Sequence, residues 1–243
     1  SDTTTPAATP EPTPTPTPDP EPTTPVVPAG TTEALTDETD ILVGTAGDDT
    51  FSGTTATFAV ADTIVDASST DNDTLNLTVT DDLDVAARIT GIENVNVTTT
   101  ANASGGNTTL DVNVANITAA NYNFDVNNAE SLIATVSVTN ADSGHYIASG
   151  DFADVDIAAD ADADLEVTIG ADATVTTTGA ADDLTVHGGG FDVTIDASAA
   201  TEDLVVDGAV DATITAASIA GNVTVTATQD ITLTDVSAAT GNL

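Results

Sequence analysis

The segment Gly44–Gly53 carries the residues of this sequence best suited to hold a metal ion. It reads GTAGDDTFSG and fits one unit of the nonapeptide pattern G-x-x-G-x-D-x-U-x, in which U is an apolar residue. Gly44 and Gly47 permit a tight turn that frees backbone carbonyl groups to face inward. Asp49, at the sixth position, supplies a carboxylate, and Phe51, at the eighth, enters the core. The pattern predicts a turn that offers the hard oxygen ligands preferred by Ca²⁺.

One such turn does not complete a calcium site, because calcium takes about six to eight oxygen ligands. Further carboxylates follow closely, and the peptide Asp71-Asn-Asp73-Thr-Leu75 is similar to the end of a second, degenerate turn. We expect Ca²⁺ at or beside this segment. The alternative is a polar β-turn that leads into the first strand without metal. The candidate ligand residues are Gly44, Gly47, Asp48, Asp49, Asp62, Asp66, Asp71 and Asp73.

A second acidic group consists of Asp160, Asp162 and Asp164, at alternate positions. An extended strand would place their carboxylates on one side, about 6–7 Å apart. Because unpaired carboxylates repel one another, a cation between them or a turn would relieve the repulsion. The alternative is a solvated acidic edge.

The charge of the chain limits the classes of partner that it can bind. Asp and Glu number 40 against one basic residue, Arg88, which gives a formal net charge of −39. Nucleic acid and anionic membrane are excluded as direct partners, because binding to either needs Lys and Arg. A compact chain with this charge repels itself unless salt screens it or bound metal neutralises it. Cysteine is absent, so thiolate metal ligands are excluded, and no apolar run approaches the roughly 18 residues needed for membrane insertion.

The body of the chain shows the alternation of apolar and polar residues that is typical of half-buried β-strands. Apolar anchors recur every 8 to 11 residues, and all ten prolines lie within the first 28 residues. This rhythm suits an all-β fold, either a β-solenoid or β-sandwich domains. The lack of proline and tryptophan in the body favours the solenoid. The anchors are Val155, Leu165, Val175, Leu184, Val193, Leu204, Ile214, Val223 and Ile231.

The composition divides the chain into three parts. Residues 1–30 form an extended arm rich in Pro and Thr, which serves either as a spacer or as a strap on a neighbouring subunit. Residues 31–100 contain the calcium turn, and residues 101–243 form the solenoid body, which further coils would extend beyond this chain.

Three segments (residues 39–53, 61–80 and 87–100) resemble RTX-related surface-layer proteins of Gram-negative bacteria. They read TDILVGTAGDDTFSG, ADTIVDASSTDNDTLNLTVT and ARITGIENVNVTTT. The resemblance implies secretion, a calcium-stabilised solenoid related to the β-roll, and lattice or matrix assembly at the outer surface of a bacterium. Carried over by position, it implies a calcium turn at Gly44, Gly47, Asp48 and Asp49, together with Asp71 and Asp73.

We therefore expect a structural subunit of an extracellular surface layer or biofilm matrix. Its main partner is a second copy of the chain, in a lattice or filament, and cell-surface polysaccharide or lipopolysaccharide is a further candidate. The alternatives are a secreted calcium-binding adhesin or passenger module and, with less support, a β-helix enzyme acting on polysaccharide. The segment His187-Gly-Gly-Gly190 is similar to the oxyanion-hole motif of hydrolases, but the chain contains no G-x-S-x-G nucleophile motif. No enzyme activity is therefore predicted. The only two histidines, His145 and His187, lack the short spacing of metal ligands.

Overall fold

The computed structural model describes residues 29–58, 61–68, 70–80, 83–84, 87–99, 109–114, 117, 119, 121–125, 135–149, 154–159, 163–179 and 181–235. Within these ranges all regular secondary structure is β-strand, so the all-β prediction is confirmed. Accordingly, no described helix is long and apolar enough to span a membrane. The strands are β1 Thr32–Ala34, β2 Ile41–Val43, β3 Thr50–Thr54, β4 Thr63–Val65, β5 Thr74–Val79, β6 Leu83–Asp84, β7 Arg88–Thr90, β8 Asn94–Thr99, β9 Thr109–Asn113, β10 Asn121–Asp125, β11 Thr135–Ala141, β12 Gly144–Ser149, β13 Asp154–Ala159, β14 Leu165–Ile169, β15 Ala173–Thr177, β16 Leu184–His187, β17 Val193–Asp196, β18 Leu204–Ala209, β19 Ala212–Thr215, β20 Val223–Ala227 and β21 Ile231–Thr234.

The strands stack in parallel as a β-solenoid, as the sequence predicts. One sheet has ten strands in the order β1-β3-β5-β8-β10-β12-β14-β16-β18-β20. A second has eight, in the order β21-β19-β17-β15-β13-β11-β9-β6, and a third has three, in the order β2-β4-β7. The β-sandwich alternative is wrong, because a sandwich is built from antiparallel sheets. The ten-stranded sheet contains strands from both the 31–100 segment and the 101–243 segment. Residues 1–28, which form most of the predicted arm, lie outside the described residues.

Alternating side chains fix the register of the coils. Strand β14 has the burial pattern buried–intermediate–buried, with Leu165, Val167 and Ile169 inside. Equivalent positions of successive coils pair directly, as Leu165 does with Leu184 and Leu184 with Leu204. A slip of one residue would turn every apolar side chain to the outside, so burial of one face holds the register firmly. The predicted anchors of the body all lie on β13 to β21.

Two tyrosine side chains pack against each other inside the core. The rings of Tyr122 and Tyr146, on neighbouring strands, stack with centroids 4.7 Å apart and planes 2° from parallel. The Tyr122 hydroxyl donates to the carbonyl of Ile117 at 3.3 Å and accepts the N–H of Ala119 at 3.2 Å. The stack therefore links two coils and satisfies buried backbone groups.

Candidate metal centre

The candidate centre lies where the chain passes from the three-stranded sheet to the ten-stranded sheet. Two of these passages form the site: one is a short corner of residues 44–49 between β2 and β3, and the other is a corner that contains the described residues 66–68 and 70–73 between β4 and β5. Val43 pairs with Val65, and Thr50 pairs with Thr74, so the two corners are stacked in register. Residues far apart in the sequence therefore meet, and Asp49 comes to lie above Asp73.

Three aspartates converge at these corners, and we call them the aspartate cluster: Asp49, Asp66 and Asp73. Their relative exposures are 1%, 6% and 0%. One carboxylate oxygen from each lies within 4.8 Å of the others. Burying carboxylates this close together is costly unless a cation or a proton compensates their charge.

Several carboxylate oxygens at the site are buried without a hydrogen-bond partner. They are Oδ1 of Asp66, Oδ2 of Asp73 and both oxygens of Asp71. Buried polar atoms are nearly always satisfied in proteins, so an orphaned oxygen needs an explanation such as an ion. Four such atoms at one corner indicate a place where a cation would supply the missing interactions.

Backbone groups hold the other oxygens of the cluster. Oδ1 of Asp73 accepts the N–H of Asp49 at 2.8 Å. Asp49 accepts the backbone N–H and the hydroxyl of Thr31 through Oδ1, and the N–H of Thr45 through Oδ2. Oδ2 of Asp66 accepts the N–H of Ser68. Asp66 and Asp73 thus each have one oxygen fixed by backbone and one left over.

The pKa values of two members of the aspartate cluster are shifted in opposite directions. Burial raises the pKa of Asp73 to about 6; the Asp49 N–H opposes this rise, and the charges of Asp66, Asp71 and Asp49 add to it. Burial also raises the pKa of Asp49, but the hydrogen bonds from Thr31 and Thr45 outweigh it and hold that pKa below its ordinary value. The charge of Asp73 is therefore less well compensated than that of Asp49.

Glycines make the room that the cluster needs. A Cβ atom added at Gly44 would lie 2.4 Å from Oδ1 of Asp66 and 2.7 Å from Oδ2 of Asp49. On the other side of Asp66, Gly91 has a φ of +75° and approaches the Asp66 carbonyl so closely that a Cβ would lie 2.3 Å from its oxygen. Gly44 thus borders the space between two carboxylates, which a methyl group would fill.

The donor set fits calcium. Every candidate ligand is an oxygen, which suits a hard cation such as Ca²⁺ and offers none of the nitrogen or sulfur ligands favoured by zinc. With bonds of about 2.4 Å, ligands on opposite sides of Ca²⁺ lie about 4.8 Å apart. The spacing within the cluster is compatible with that limit. Asp49, Asp66, Asp71 and Asp73 are the residues that would hold the ion.

The structure separates the remaining predicted ligands from this cluster. Asp48 is exposed, and its Oδ1 accepts the N–H of Asn72 at 3.0 Å. Gly47 donates its N–H to the Thr45 hydroxyl within the turn. Asp62 is buried before β4, at the opposite corner, and accepts the N–H of Asp40 at 2.9 Å. Asp160 and Asp162 lie outside the described residues, whereas Asp164 is exposed just before β14.

Sequence reasoning missed two residues that support the cluster. Glu93 accepts the N–H of Asp73 through Oε2 at 2.8 Å, which continues the Asp49–Asp73 stack by one coil. Gly91 lies against Asp66 from the following corner. The sequence contained a signal for Glu93, since Asp49, Asp73 and Glu93 are acidic residues that each come directly before a strand of the ten-stranded sheet.

Comparison with known proteins gave no match: no family model, no curated protein and no solved structure is significantly similar to this chain.

Proposed function

We propose that this chain is a structural subunit of an extracellular surface layer or matrix, and that Ca²⁺ at the aspartate cluster stabilises its solenoid. The observation that carries the proposal is the set of buried aspartate oxygens without partners at the stacked corners. Calcium is the ion that this all-oxygen set suits, and extracellular modules bind calcium at about 10⁻⁴–10⁻³ M.

Calcium would act by joining successive coils. Asp49 belongs to the corner between β2 and β3, whereas Asp66 and Asp73 belong to the equivalent corner of the next coil, between β4 and β5. An ion bound to all three links the two coils and neutralises charge that otherwise repels them. Because each coil of a solenoid packs mainly on its neighbours, a link at one corner stabilises the adjoining coils first.

The ends of the described solenoid support a role in assembly. In the described residues, β21 is an edge strand of the eight-stranded sheet and exposes Ile231 and Leu233. At the other end, β2 is an edge strand that exposes Ile41 and Val43. Exposed apolar edge strands are templates for pairing with another chain. Either edge would accept a further strand, from a second subunit or from a further coil of the same protein.

Electron microscopy of the purified chain, with calcium and with EGTA at matched ionic strength, tests the proposal. We expect sheets or filaments with calcium and dispersed particles with EGTA. An I231D/L233D variant should bind calcium normally but fail to assemble, whereas T194D, on an exposed position of an interior strand, should assemble. Monomers under both conditions, with calcium bound, would overturn the structural role and favour the adhesin alternative.

A further inference from the structure

His187 contacts two carboxylates on the outer face of the ten-stranded sheet, and each belongs to a neighbouring coil. Its strand β16 lies between β14, which carries Glu166, and β18, which carries Asp207. Nδ1 of His187 lies 2.7 Å from Oδ1 of Asp207, its in-register partner, and Nε2 lies 2.8 Å from Oε1 of Glu166. One imidazole ring therefore joins three successive coils.

Both contacts need a hydrogen on the ring nitrogen, because an ionised carboxylate only accepts hydrogen bonds. A neutral imidazole carries one N–H, whereas an imidazolium carries two. The two distances, 2.7 and 2.8 Å, are typical of hydrogen bonds from a charged N–H donor to a carboxylate, which measure about 2.7–2.9 Å. The geometry thus suits the protonated ring, and loss of its proton would leave a nitrogen lone pair facing a carboxylate oxygen.

The charge around His187 favours the protonated ring. Residues 101–243 contain no Lys and no Arg, so His145 and His187 are their only side chains that can carry positive charge. The hydrogen bond to Asp207 raises the pKa of His187 above its ordinary value of 6.5; burial opposes this rise, and Glu166 adds to it. The ring is therefore charged at a higher pH in the folded chain than an isolated imidazole would be.

The strands packed against β16 present one ionisable side chain each on the outer face. These are Glu166 on β14 and Asp207 on β18, beside outward Thr and Val side chains. Beyond β14, on β12, Nε2 of His145 lies 3.9 Å from Oε1 of Glu166, which is longer than a hydrogen bond. Within the described residues, the direct ionic partners of His187 are therefore Glu166 and Asp207.

We propose that His187 is a pH-dependent clamp on the solenoid body. As an imidazolium it joins Glu166 and Asp207 across three coils, and as a neutral imidazole it keeps only one of the two hydrogen bonds. Because the folded state binds this proton more tightly than the unfolded state, the stabilisation is complete below about pH 6.5 and is lost as the pH rises through the pKa of His187 in the folded chain. The clamp is therefore closed in mildly acidic surroundings and open in alkaline ones.

Proton NMR measures the titration directly, because the whole chain has only two imidazole rings, and H187Q identifies the signal of His187. In the folded chain the His187 ring should titrate at a higher pH than in the chain unfolded in urea. D207N and E166Q should each move that titration toward the unfolded value, and the double variant should move it furthest. Titration of His187 at the same pH in the folded and unfolded chains would overturn the clamp.

Urea unfolding of the wild type and of H187Q, from about pH 6 to pH 9, tests the effect on stability. The difference between their stabilities should be largest at the acidic end and shrink as the pH rises, and contributions that both chains share, such as that of Asp73, cancel from it. H145Q is the matched control: it removes the other histidine but neither hydrogen bond of His187, so its stability should vary with pH as that of the wild type does. A difference between the wild type and H187Q that does not shrink as the pH rises would also overturn the proposal.

Discussion

Asp49 donates its backbone N–H to Oδ1 of Asp73, one coil further along, and leaves Oδ2 of Asp73 buried without a partner. The hydrogen bond that joins these two coils therefore also orients the Asp73 side chain, so that its Oδ2 is available to a cation at the aspartate cluster. The same aspartates serve the register of the solenoid and the candidate calcium site. The consequences can be measured separately for metal binding, pH dependence and packing.

Removing the charge of Asp73 should weaken calcium binding. We expect D73N to lower the affinity for Ca²⁺ at least about tenfold, because it replaces a negatively charged ligand with a neutral one. Calorimetric titration measures the change. D172N is the matched control: Asp172 also precedes a strand and accepts a backbone N–H from the next coil, at 2.9 Å, but it lies exposed in another corner. Equal losses in both variants would show that the cluster is not the binding site.

Filling the space beside Gly44 should block the ion without removing a ligand. We expect G44A to abolish calcium binding at the aspartate cluster, because its Cβ would occupy the space between Asp66 and Asp49. G144A is the control, since its Cβ would lie 3.1 Å from the Tyr122 ring, in the body of the solenoid. Normal calcium affinity in G44A would contradict the assigned position of the ion.

The metal-free protein should lose stability as the pH rises through the titration of Asp73. Its pKa is about 6 in the folded chain against an ordinary value of 3.8, so the folded state binds more protons than the unfolded state between these values. The free energy of unfolding in EGTA should therefore decline from about pH 4 to above pH 6. Asp49, with its lowered pKa, acts in the opposite direction but only below that range.

Urea unfolding at several pH values measures this decline. The decline should be smaller in D73N, whose side chain does not titrate, and saturating Ca²⁺ should reverse it at neutral pH. An identical pH profile for D73N and the wild type would show that Asp73 does not carry the effect.

The Tyr122 hydroxyl should matter more for stability than that of Tyr146. We expect Y122F to cost about 1–3 kcal/mol of unfolding free energy, because it leaves buried backbone groups of Ile117 and Ala119 without their partner. Y146F should cost less, since the Asp142 carbonyl that its hydroxyl contacts at 2.7 Å belongs to an exposed residue, which water can reach. Chemical unfolding compares the two variants, and an equal cost would contradict this assignment.

The solenoid was predictable because its signal repeats along the chain. Alternation around anchors such as Leu165, Leu184 and Leu204 indicates the strand positions, although the spacing alone fits either two or three strands in each coil. The three-stranded sheet was not predicted, because β2, β4 and β7 have only three residues each, which is too short for a visible alternation. Their place in the fold depends on register with neighbouring coils.

The candidate site was predictable in its residue types but not in its grouping. The glycine–aspartate turn indicated Asp49, and nearby carboxylates indicated Asp66 and Asp73. The sequence could not show that Asp62 lies at the opposite corner, because only strand β4 separates it from Asp66. The pairing of His187 with Glu166 and Asp207 was missed for the same physical reason: in a solenoid, contacts form between residues on neighbouring coils, which short-range spacing does not reveal.

The central claim is that calcium at the aspartate cluster stabilises the solenoid, and thermal unfolding of the chain in Ca²⁺ and in EGTA, at matched ionic strength, tests it most directly. With Ca²⁺ at about 100 times its dissociation constant, binding to the folded state alone adds about 2.7 kcal/mol of stability. We predict a higher Tm with Ca²⁺ in the wild type and in D172N, and an increase of about half that size or less in D73N, since a tenfold weaker affinity leaves about 1.4 kcal/mol of stabilisation. An equal Tm with and without Ca²⁺ in the wild type would contradict the account.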